Sequence, residues 1–306
     1  MLRVLHEYVV PDGCTIRYVS QVPAGGRCVL LNCWERHWIN EIFSFSHDLI
    51  FRNVLVLNTW DPYEDILRSI SDHGRMILVI IDERDHFPRA LLPQFGAVIR
   101  VGFDYGSYPP NTITIPLYVP SPILAARSWQ LWFSNAQSRI SVFVSGSEPR
   151  KYLWSFAGDG HKNHERREML AAFSSIFPRR KHVFQGWLPP DALDPHNYAT
   201  LLRESVFIPC PRGNFHVECY RPYEAAYLGA IPVVISDYYA KQFEAPFLIA
   251  PDWFDAAHQI VALQKDHSRL ASLQRAVTSW ISILPAITRT KLSEHLISRK
   301  LHPTHP

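Results

Sequence analysis

Short apolar runs alternate with amphipathic stretches along the chain, and this alternation predicts strands connected by helices. In the first half, the apolar runs lie at 29–32, 53–58, 76–81, 97–101 and 112–115, and helices are predicted at 34–49, 62–71 and 89–94. The run at 76–81 is apolar throughout, as expected of a strand that is covered on both faces. A βαβ series of this kind is typical of a parallel sheet.

The same alternation starts again in the second half of the chain. It predicts strands at 152–156, 182–185, 206–209 and 231–235, helices at 164–173, 195–204 and 223–228, and further helices between 253 and 284. We therefore predict an α/β protein of two units, residues 1–140 and 141–306, without a long linker. Because ligands bind at the carboxyl ends of parallel strands, we expect a central cleft where the strand ends of the two units face each other.

Composition and charge exclude several classes of protein. Hydrophobic residues make up 47% of the 306 residues and charged residues 19%, which is typical of a globular protein. The net charge is +3 without a long block of like charge, so we expect no nucleic-acid partner. No apolar run reaches the roughly 18 residues of a membrane span, and the polar N-terminus does not resemble a signal peptide. The five cysteines form no C-x-x-C pair, and together these features predict a soluble, cytoplasmic protein with reduced thiols.

Glycine is scarce: the 13 glycines are about 4% of the 306 residues, whereas the usual share is roughly 7%. Neither G-x-G-x-x-G nor G-x-x-x-x-G-K-[ST] is present, so a bound nucleotide must be held by something other than a glycine-rich loop. The 15 histidines show no spacing typical of a metal site, and we expect no metal.

The segment 205–237 carries the most chemical information. A predicted helix begins near Pro222, with Arg221 before it and Glu224 on its first turn, and Gly229 suits the end of that helix. The N–H groups of a helix N-terminus attract phosphate, and an arginine adds a bidentate donor. Because a carboxylate can accept two hydrogen bonds from a ribose diol, the segment indicates an Arg–Glu clamp for a nucleoside diphosphate. The alternative is a solvated i, i+3 ion pair between Arg221 and Glu224.

This segment resembles the C-terminal motif of exostosin-type glycosyltransferases. The shared pattern is S-x-F-x-x-x-P-x-G, a gap, R-x-x-E-A and then G-x-I-P-V-x-x-S. A second element, WSFAG at 154–158 followed by RREML at 166–170, is similar to the F-x-G and R-x-x-L element of that family. Asp82 and Glu83, after a predicted strand, resemble the D-E of related xylosyltransferase-like sequences. The resemblance is clear from about 150 to 240 and weak over the first 140 residues.

The resemblance implies a GT-B fold, in which two Rossmann-like domains bind the acceptor (1–140) and the donor nucleotide sugar (141–306). It also implies that no metal is required, and the chain has no D-x-D. By carry-over, Arg221 binds the diphosphate and Glu224 the ribose. The remaining donor-binding residues implied are Arg167, with Arg166 beside it, Gly213, Asn214 and Gly158. The alternative for Arg166 and Arg167 is a solvated helix face.

The resemblance further implies an inverting reaction, which needs a base on the acceptor side. Asp82 and Glu83 are the candidates, and the choice between them stays open. The alternative is that they cap the following helix. Glu35, His37 and Asp104 are further candidates for the base.

We therefore expect an inverting glycosyltransferase that needs no cofactor and moves a sugar from a UDP-sugar to a glycan hydroxyl. Xylose is favoured as that sugar, and galactose or glucuronate also fits the resemblance. The alternative is a non-catalytic partner subunit that binds a nucleotide sugar or a carbohydrate on the same scaffold.

Overall fold

The computed structural model describes residues 4–9, 15–19, 53–58, 74, 76–81, 87–102, 108–117, 150–186, 190–213 and 216–298. The chain divides into two compact units: one comprises Met1–Leu117 and Pro285–Pro306, and the other comprises Tyr118–Leu284. The sequence predicts units of residues 1–140 and 141–306; that boundary lies among residues 118–149, outside the described ranges, and stays a prediction.

The first unit contains a six-stranded sheet. Its elements are β1 (Val4–Val9), β2 (Thr15–Val19), β3 (Asn53–Asn58), β4 (Ile77–Ile81), a short 3₁₀ helix (Arg89–Gln94), β5 (Ala97–Val101) and β6 (Thr112–Ile115). The strands lie side by side in chain order, and every neighbouring pair except the antiparallel β1 and β2 is parallel. The strands predicted at 53–58, 76–81, 97–101 and 112–115 are confirmed, and β1 and β2 are additions to the prediction. The strand predicted at 29–32 and the helices predicted at 34–49 and 62–71 lie outside the described residues.

The second unit contains a five-stranded sheet in which every described pair is parallel. Its elements are β7 (Tyr152–Asp159), α1 (His164–Ala172), β8 (Arg179–Phe184), α2 (Pro195–Arg203), β9 (Ser205–Pro209), α3 (Arg221–Tyr227), β10 (Ile231–Val234), α4 (Tyr238–Phe243), β11 (Leu248–Ile249) and α5 (Trp253–Lys265). The last helix, α6 (His267–Ser298), begins in the second unit and belongs to the first from Pro285 onward. The strand order is β11-β10-β9-β7-β8. The α/β class and the parallel sheets predicted from the sequence are confirmed.

Aromatic side chains form the centre of the second unit's core. Trp154, Phe173 and Trp253 are fully buried, and the rings of Trp154 and Phe173 meet edge to face with centroids 5.1 Å apart. The indole N–H of Trp154 donates to the carbonyl of Ile176 at 3.1 Å, so burial of this large side chain leaves its polar atom satisfied. This packing fixes β7, the strand whose end carries the site described below.

Gly229 ends α3 as the sequence predicts. Its φ is +75°, its N–H donates to Ala226 at 3.0 Å, and the next N–H, of Ala230, donates to Ala225 at 2.9 Å. These two bonds define a Schellman motif, which requires a left-handed residue at this position.

Arg150 holds the ends of α2 and α3 in place. One guanidinium nitrogen, Nη1, donates to the carbonyls of Leu202, Arg203 and Ser205, at 3.3, 2.9 and 2.6 Å. The other, Nη2, donates to the carbonyls of Leu228 and Gly229, at 3.3 and 2.7 Å. A cation is favourable at helix C-termini because their free carbonyls carry partial negative charge.

In the part of the chain that the structure describes, no helix combines the length and the apolar character that crossing a membrane requires.

Candidate functional site

The strand order of the second unit contains one reversal of direction. The chain passes from β7 to β8 on one side, then returns to place β9, β10 and β11 on the other side of β7. The segments that follow β7 and β9 therefore leave the carboxyl edge of the sheet in opposite directions. Such a switch point opens a crevice between the two strand ends, and ligands of open α/β sheets bind there. Here α1 follows β7 and α3 follows β9. Each of these helices carries an arginine on its first turn, Arg166 on α1 and Arg221 on α3.

Arg221, the first residue of α3, reaches back to the end of β7. Its Nη2 donates to the carbonyl of Ala157 at 3.0 Å, and its guanidinium carbon lies 4.6 Å from the centre of the Phe156 ring. Gly158 leaves the necessary room, because a Cβ at that position would lie 2.8 Å from Arg221 Nη2. The φ of Gly158 is +153°, a conformation that residues with a side chain rarely adopt.

Arg166, on the first turn of α1, lies beside Arg221. Its Nη1 donates to the carbonyl of Asp159 at 2.9 Å. Burial, together with the positive charge of Arg221, lowers the pKa of Arg166 from 12.5 to about 10. The two guanidinium groups therefore repel each other across the switch point.

Each of these two arginines has a buried N–H donor that makes no hydrogen bond within the described residues. Nε of Arg166 and Nε of Arg221 are buried, and within the described ranges neither has a hydrogen-bond acceptor. A buried donor without an acceptor is unfavourable, and the charge of Arg221 adds to the penalty at Arg166. Burial opposes the charged form of Arg221 as well, but acidic neighbours, Glu224 among them, outweigh it and raise the pKa of Arg221. An anion placed between them would satisfy both donors and neutralise the repulsion. The arrangement is therefore chemically suited to bind a group such as a diphosphate.

Arg167 occupies a different environment from its neighbour. It is exposed, and its Nη1 donates to the carbonyl of His161 at 2.9 Å. The resemblance gives Arg167 first place as the second contact to the phosphates, whereas the structure brings Arg166 to Arg221. For Arg167, the alternative of a solvated helix face describes its position well.

Glu224 lies one turn after Arg221 on α3 and is 3% exposed. Its Oε2 accepts a hydrogen bond from the hydroxyl of Tyr198 at 2.8 Å. Because Glu224 is buried, the alternative of a solvated surface ion pair between Arg221 and Glu224 does not hold. The structure thus gathers Arg221, Arg166 and Glu224, three of the predicted donor-binding residues, in one region of the second unit.

Asp159 organises the loop between β7 and α1. Its two carboxylate oxygens accept from the backbone N–H groups of His161 and Gly186, each at 2.9 Å. Burial alone would raise the pKa of Asp159. The N–H groups of Gly186 and His161 and then the charge of Arg166 outweigh it, and the pKa falls below its ordinary value. Asp159 therefore stays ionised, and its hydrogen bonds fix the backbone whose carbonyl accepts from Arg166.

The loop between β9 and α3 is anchored by buried tyrosines. Glu218, which is 4% exposed, accepts hydrogen bonds from the hydroxyls of Tyr223 and Tyr238, the latter at 3.1 Å. The hydroxyl of Tyr239 accepts from the N–H of Cys219 at 3.1 Å and donates to the carbonyl of Val217 at 3.2 Å. These bonds fix residues 217–219 of the loop, next to the start of α3.

Gly213 and the cysteines belong to the same loop. A Cβ on Gly213 would lie 3.1 Å from the carbonyl oxygen of Glu218, so the loop closes tightly on itself there. The carbonyl of Gly213 also accepts from Asn163 Nδ2 at 3.5 Å, which links the loop to the start of α1. Burial raises the pKa of the Cys210 and Cys219 thiols, which therefore remain protonated and are poor nucleophiles.

Several predicted residues lie outside the described ranges. These are the candidate bases Asp82 and Glu83, the further candidates Glu35, His37 and Asp104, and the donor-loop residue Asn214. Their roles remain predictions from the sequence. In the parts of the chain with described coordinates, no group of three or more metal-ligating side chains comes together.

The fold and the site define an α/β domain with a cationic crevice at the switch point of a parallel sheet. The sequence profile of the RXYLT1 C-terminal domain family matches residues 134–298, which is more than half of the chain. The chain therefore belongs to the RXYLT1 C-terminal domain family.

One curated relative and two solved structures are also similar. Ribitol-5-phosphate xylosyltransferase 1 of Danio rerio is 34% identical over 89 residues, which are 28% of this chain and 20% of that protein. The match thus spans about a fifth of the relative's length. A crystal structure of α1,3-fucosyltransferase has a TM-score of 0.41 and 14% identity, covering 76% of this chain and 90% of that chain. Another, with GDP-fucose, has a TM-score of 0.43 and 15% identity, covering 83% and 91%.

Sequence patterns do not reveal Tyr198, Asp159 and Glu218, the polar residues that support the site. Each of them makes a hydrogen bond to a residue 20 or more positions away in the sequence, and no regular spacing connects the two. The only signal in the chain is the unusual concentration of tyrosines at 220, 223, 227, 238 and 239, around the segment that carries the clamp.

Proposed function

We propose that this chain is a glycosyltransferase of GT-B type that binds a UDP-sugar at the switch point of its second unit. The observation that carries the proposal is the pair of converging arginines, Arg166 and Arg221, each with a buried Nε and no acceptor in the described parts of the chain. Membership of the RXYLT1 C-terminal domain family supports the same class of activity.

Arg221 and Arg166 bind the diphosphate in this proposal, and Gly158 and Gly213 give the backbone the shape that the site needs. Negative charge grows on the diphosphate as the bond to the sugar breaks. Two guanidinium groups fixed in a buried setting stabilise that charge without having to rearrange. The chain thus supplies by side chains what a divalent metal supplies elsewhere, and we propose that transfer requires no metal or other cofactor.

Glu224 binds the ribose diol. It lies on the turn after Arg221, which matches the short separation between a ribose and the phosphate attached to it. An ionised carboxylate accepts hydrogen bonds more strongly than a neutral oxygen does.

Xylose is the donor sugar that we propose, with galactose and glucuronate as the alternatives to test. The name of the Danio rerio relative, a ribitol-5-phosphate xylosyltransferase, supports xylose. It also makes ribitol 5-phosphate, free or within a glycan, the first acceptor to test.

The transfer step inverts the anomeric centre in this proposal. The acceptor hydroxyl oxygen bonds to the anomeric carbon while the bond from that carbon to the UDP oxygen breaks. The hydroxyl proton passes to a carboxylate, for which Asp82 and Glu83 remain the candidates, and UDP leaves with the electron pair of the broken bond.

The test measures sugar transfer from UDP-xylose, UDP-galactose and UDP-glucuronate to ribitol 5-phosphate in the presence of EDTA. We expect UDP release with UDP-xylose, and a loss of at least about a hundredfold in Arg221→Met, because a charged contact to the leaving group disappears. Arg275→Met, which removes an exposed arginine from α6, is the matched control and keeps full activity.

The same experiment separates catalysis from binding alone. UDP release that falls in Asp82→Asn or Glu83→Gln, at unchanged UDP affinity, supports the enzyme. Tight UDP binding without turnover on any acceptor supports the non-catalytic partner subunit. Absence of UDP binding by the wild type contradicts both.

A further inference from the structure

Tyr198 is held in a fixed place at the start of α2. The N-cap residue Asp194 accepts a hydrogen bond from the N–H of Asn197 through Oδ1 and from the N–H of Tyr198 through its backbone carbonyl, both at 2.9 Å. A capped first turn frays little, so the backbone that carries Tyr198 is fixed.

The hydroxyl of Tyr198 meets the carboxylate of Glu224, a residue of a different helix. The distance from the hydroxyl to Oε2 is 2.8 Å, which is typical of a good hydrogen bond, and Glu224 is 3% exposed. Burial, and after it the negative charge of Glu224, raises the pKa of Tyr198 well above its ordinary value. The phenol therefore stays protonated and always donates to the carboxylate.

A carboxylate that receives one fixed hydrogen bond loses its freedom to rotate. The phenol occupies one of about four acceptor positions of a carboxylate, and it thereby determines where the other positions point. A hydrogen bond that already limits this rotation lowers the entropic cost of binding a ligand.

We propose that Tyr198 is a positioning residue that orients the Glu224 carboxylate toward the ribose hydroxyls of the bound nucleotide. The inference rests on the proposed function, and in particular on the role of Glu224 in ribose binding. It extends that function by making the selectivity for a ribonucleotide depend on a hydrogen bond between α2 and α3.

Titration of UDP, 2′-deoxy-UDP and pyrophosphate into the protein by calorimetry tests this inference. In Tyr198→Phe the ring remains and only the hydroxyl is lost. We expect the Kd for UDP to rise about tenfold, while the preference for UDP over 2′-deoxy-UDP falls and the Kd for pyrophosphate stays unchanged. Tyr152→Phe, at the start of β7, is the matched control and leaves all three affinities as in the wild type.

A double-mutant cycle with Glu224→Gln distinguishes positioning from a general structural effect. If Tyr198 acts through Glu224, Tyr198→Phe adds no further loss of UDP affinity in the Glu224→Gln background. Equal weakening of UDP, 2′-deoxy-UDP and pyrophosphate, or full additivity in the cycle, overturns the inference. Wild-type protein that binds neither UDP nor pyrophosphate instead overturns the proposed function itself. Unchanged pyrophosphate affinity also shows that Tyr198→Phe is folded.

Discussion

Replacing Arg166 or Arg167 of α1 by methionine, one at a time, tests which of the two belongs to the anion site. Arg166 lies beside Arg221 with a buried Nε, whereas the adjacent Arg167 is exposed. The two side chains are chemically identical and neighbours in sequence. Arg166→Met and Arg167→Met are therefore a matched pair that differ only in where the lost charge was located.

Without ligand, we expect Arg166→Met to be more stable than the wild type. The pKa of Arg166 falls from 12.5 to about 10, so the folded state disfavours the charged form. At about 1.4 kcal/mol per pKa unit this corresponds to at most about 3.5 kcal/mol. Because arginine is fully charged at neutral pH, the whole penalty is present at pH 7. The lost hydrogen bond to the carbonyl of Asp159 offsets about 1 kcal/mol of it.

These magnitudes predict a net gain of about 1 to 2 kcal/mol and a rise in Tm of about 3 to 6 °C. With ligand the effect reverses, because a charged hydrogen bond to a phosphate is lost. That loss raises the Kd for UDP about 10- to 100-fold. We expect Arg167→Met to change neither Tm nor Kd measurably.

Thermal unfolding with and without UDP, together with calorimetric titration, measures both quantities on the same samples. The reasoning is refuted if Arg166→Met has a lower Tm than the wild type and the same UDP affinity as Arg167→Met. That result would mean that Arg166 stabilises the apo fold and does not contribute to an anion site.

Three further predictions concern the supports of the site. Gly158→Ala introduces a Cβ 2.8 Å from Arg221 Nη2 at a φ of +153°. It should lower the stability by about 1 to 3 kcal/mol and weaken UDP binding, and unchanged affinity would argue against the position of Arg221. Since Asp159 has a lowered pKa, its contribution to stability is present at neutral pH and is lost as the pH falls below about 4. The difference in urea midpoint between wild type and Asp159→Asn should therefore shrink on acidification. A difference that stays constant with pH would contradict a stabilising role of the ionised Asp159. Arg150→Met removes the cation at the ends of α2 and α3 and should lower Tm by several degrees, and a Tm equal to that of the wild type would contradict the capping role.

The sequence predicts well the features that depend on residues close together in the chain. Strands β3 to β7, β9 and β10 follow from the short apolar runs, whereas β1, β2 and β11 were not predicted, and the end of α3 follows from Gly229. Arg221 and Glu224 stand three residues apart at the start of a predicted helix, so their shared location was visible in the local pattern.

The features that escaped prediction depend on how distant segments pack. Both Arg166 and Arg167 lie on the first turn of one helix, and only the packing of α1 against the end of β7 determines which of them reaches Arg221. Tyr198 lies 26 residues before Glu224, and no spacing rule connects them. The assignment of residues 285–306 to the first unit likewise depends on packing between segments that are distant in the sequence.

A crystal structure of the protein with UDP tests the central claim most directly. The account predicts a diphosphate between Arg166 and Arg221, with phosphate oxygens about 2.7 to 2.9 Å from their Nε atoms, and the ribose hydroxyls at the carboxylate of Glu224. UDP bound elsewhere on the chain, with both Nε atoms still lacking an acceptor, would contradict it.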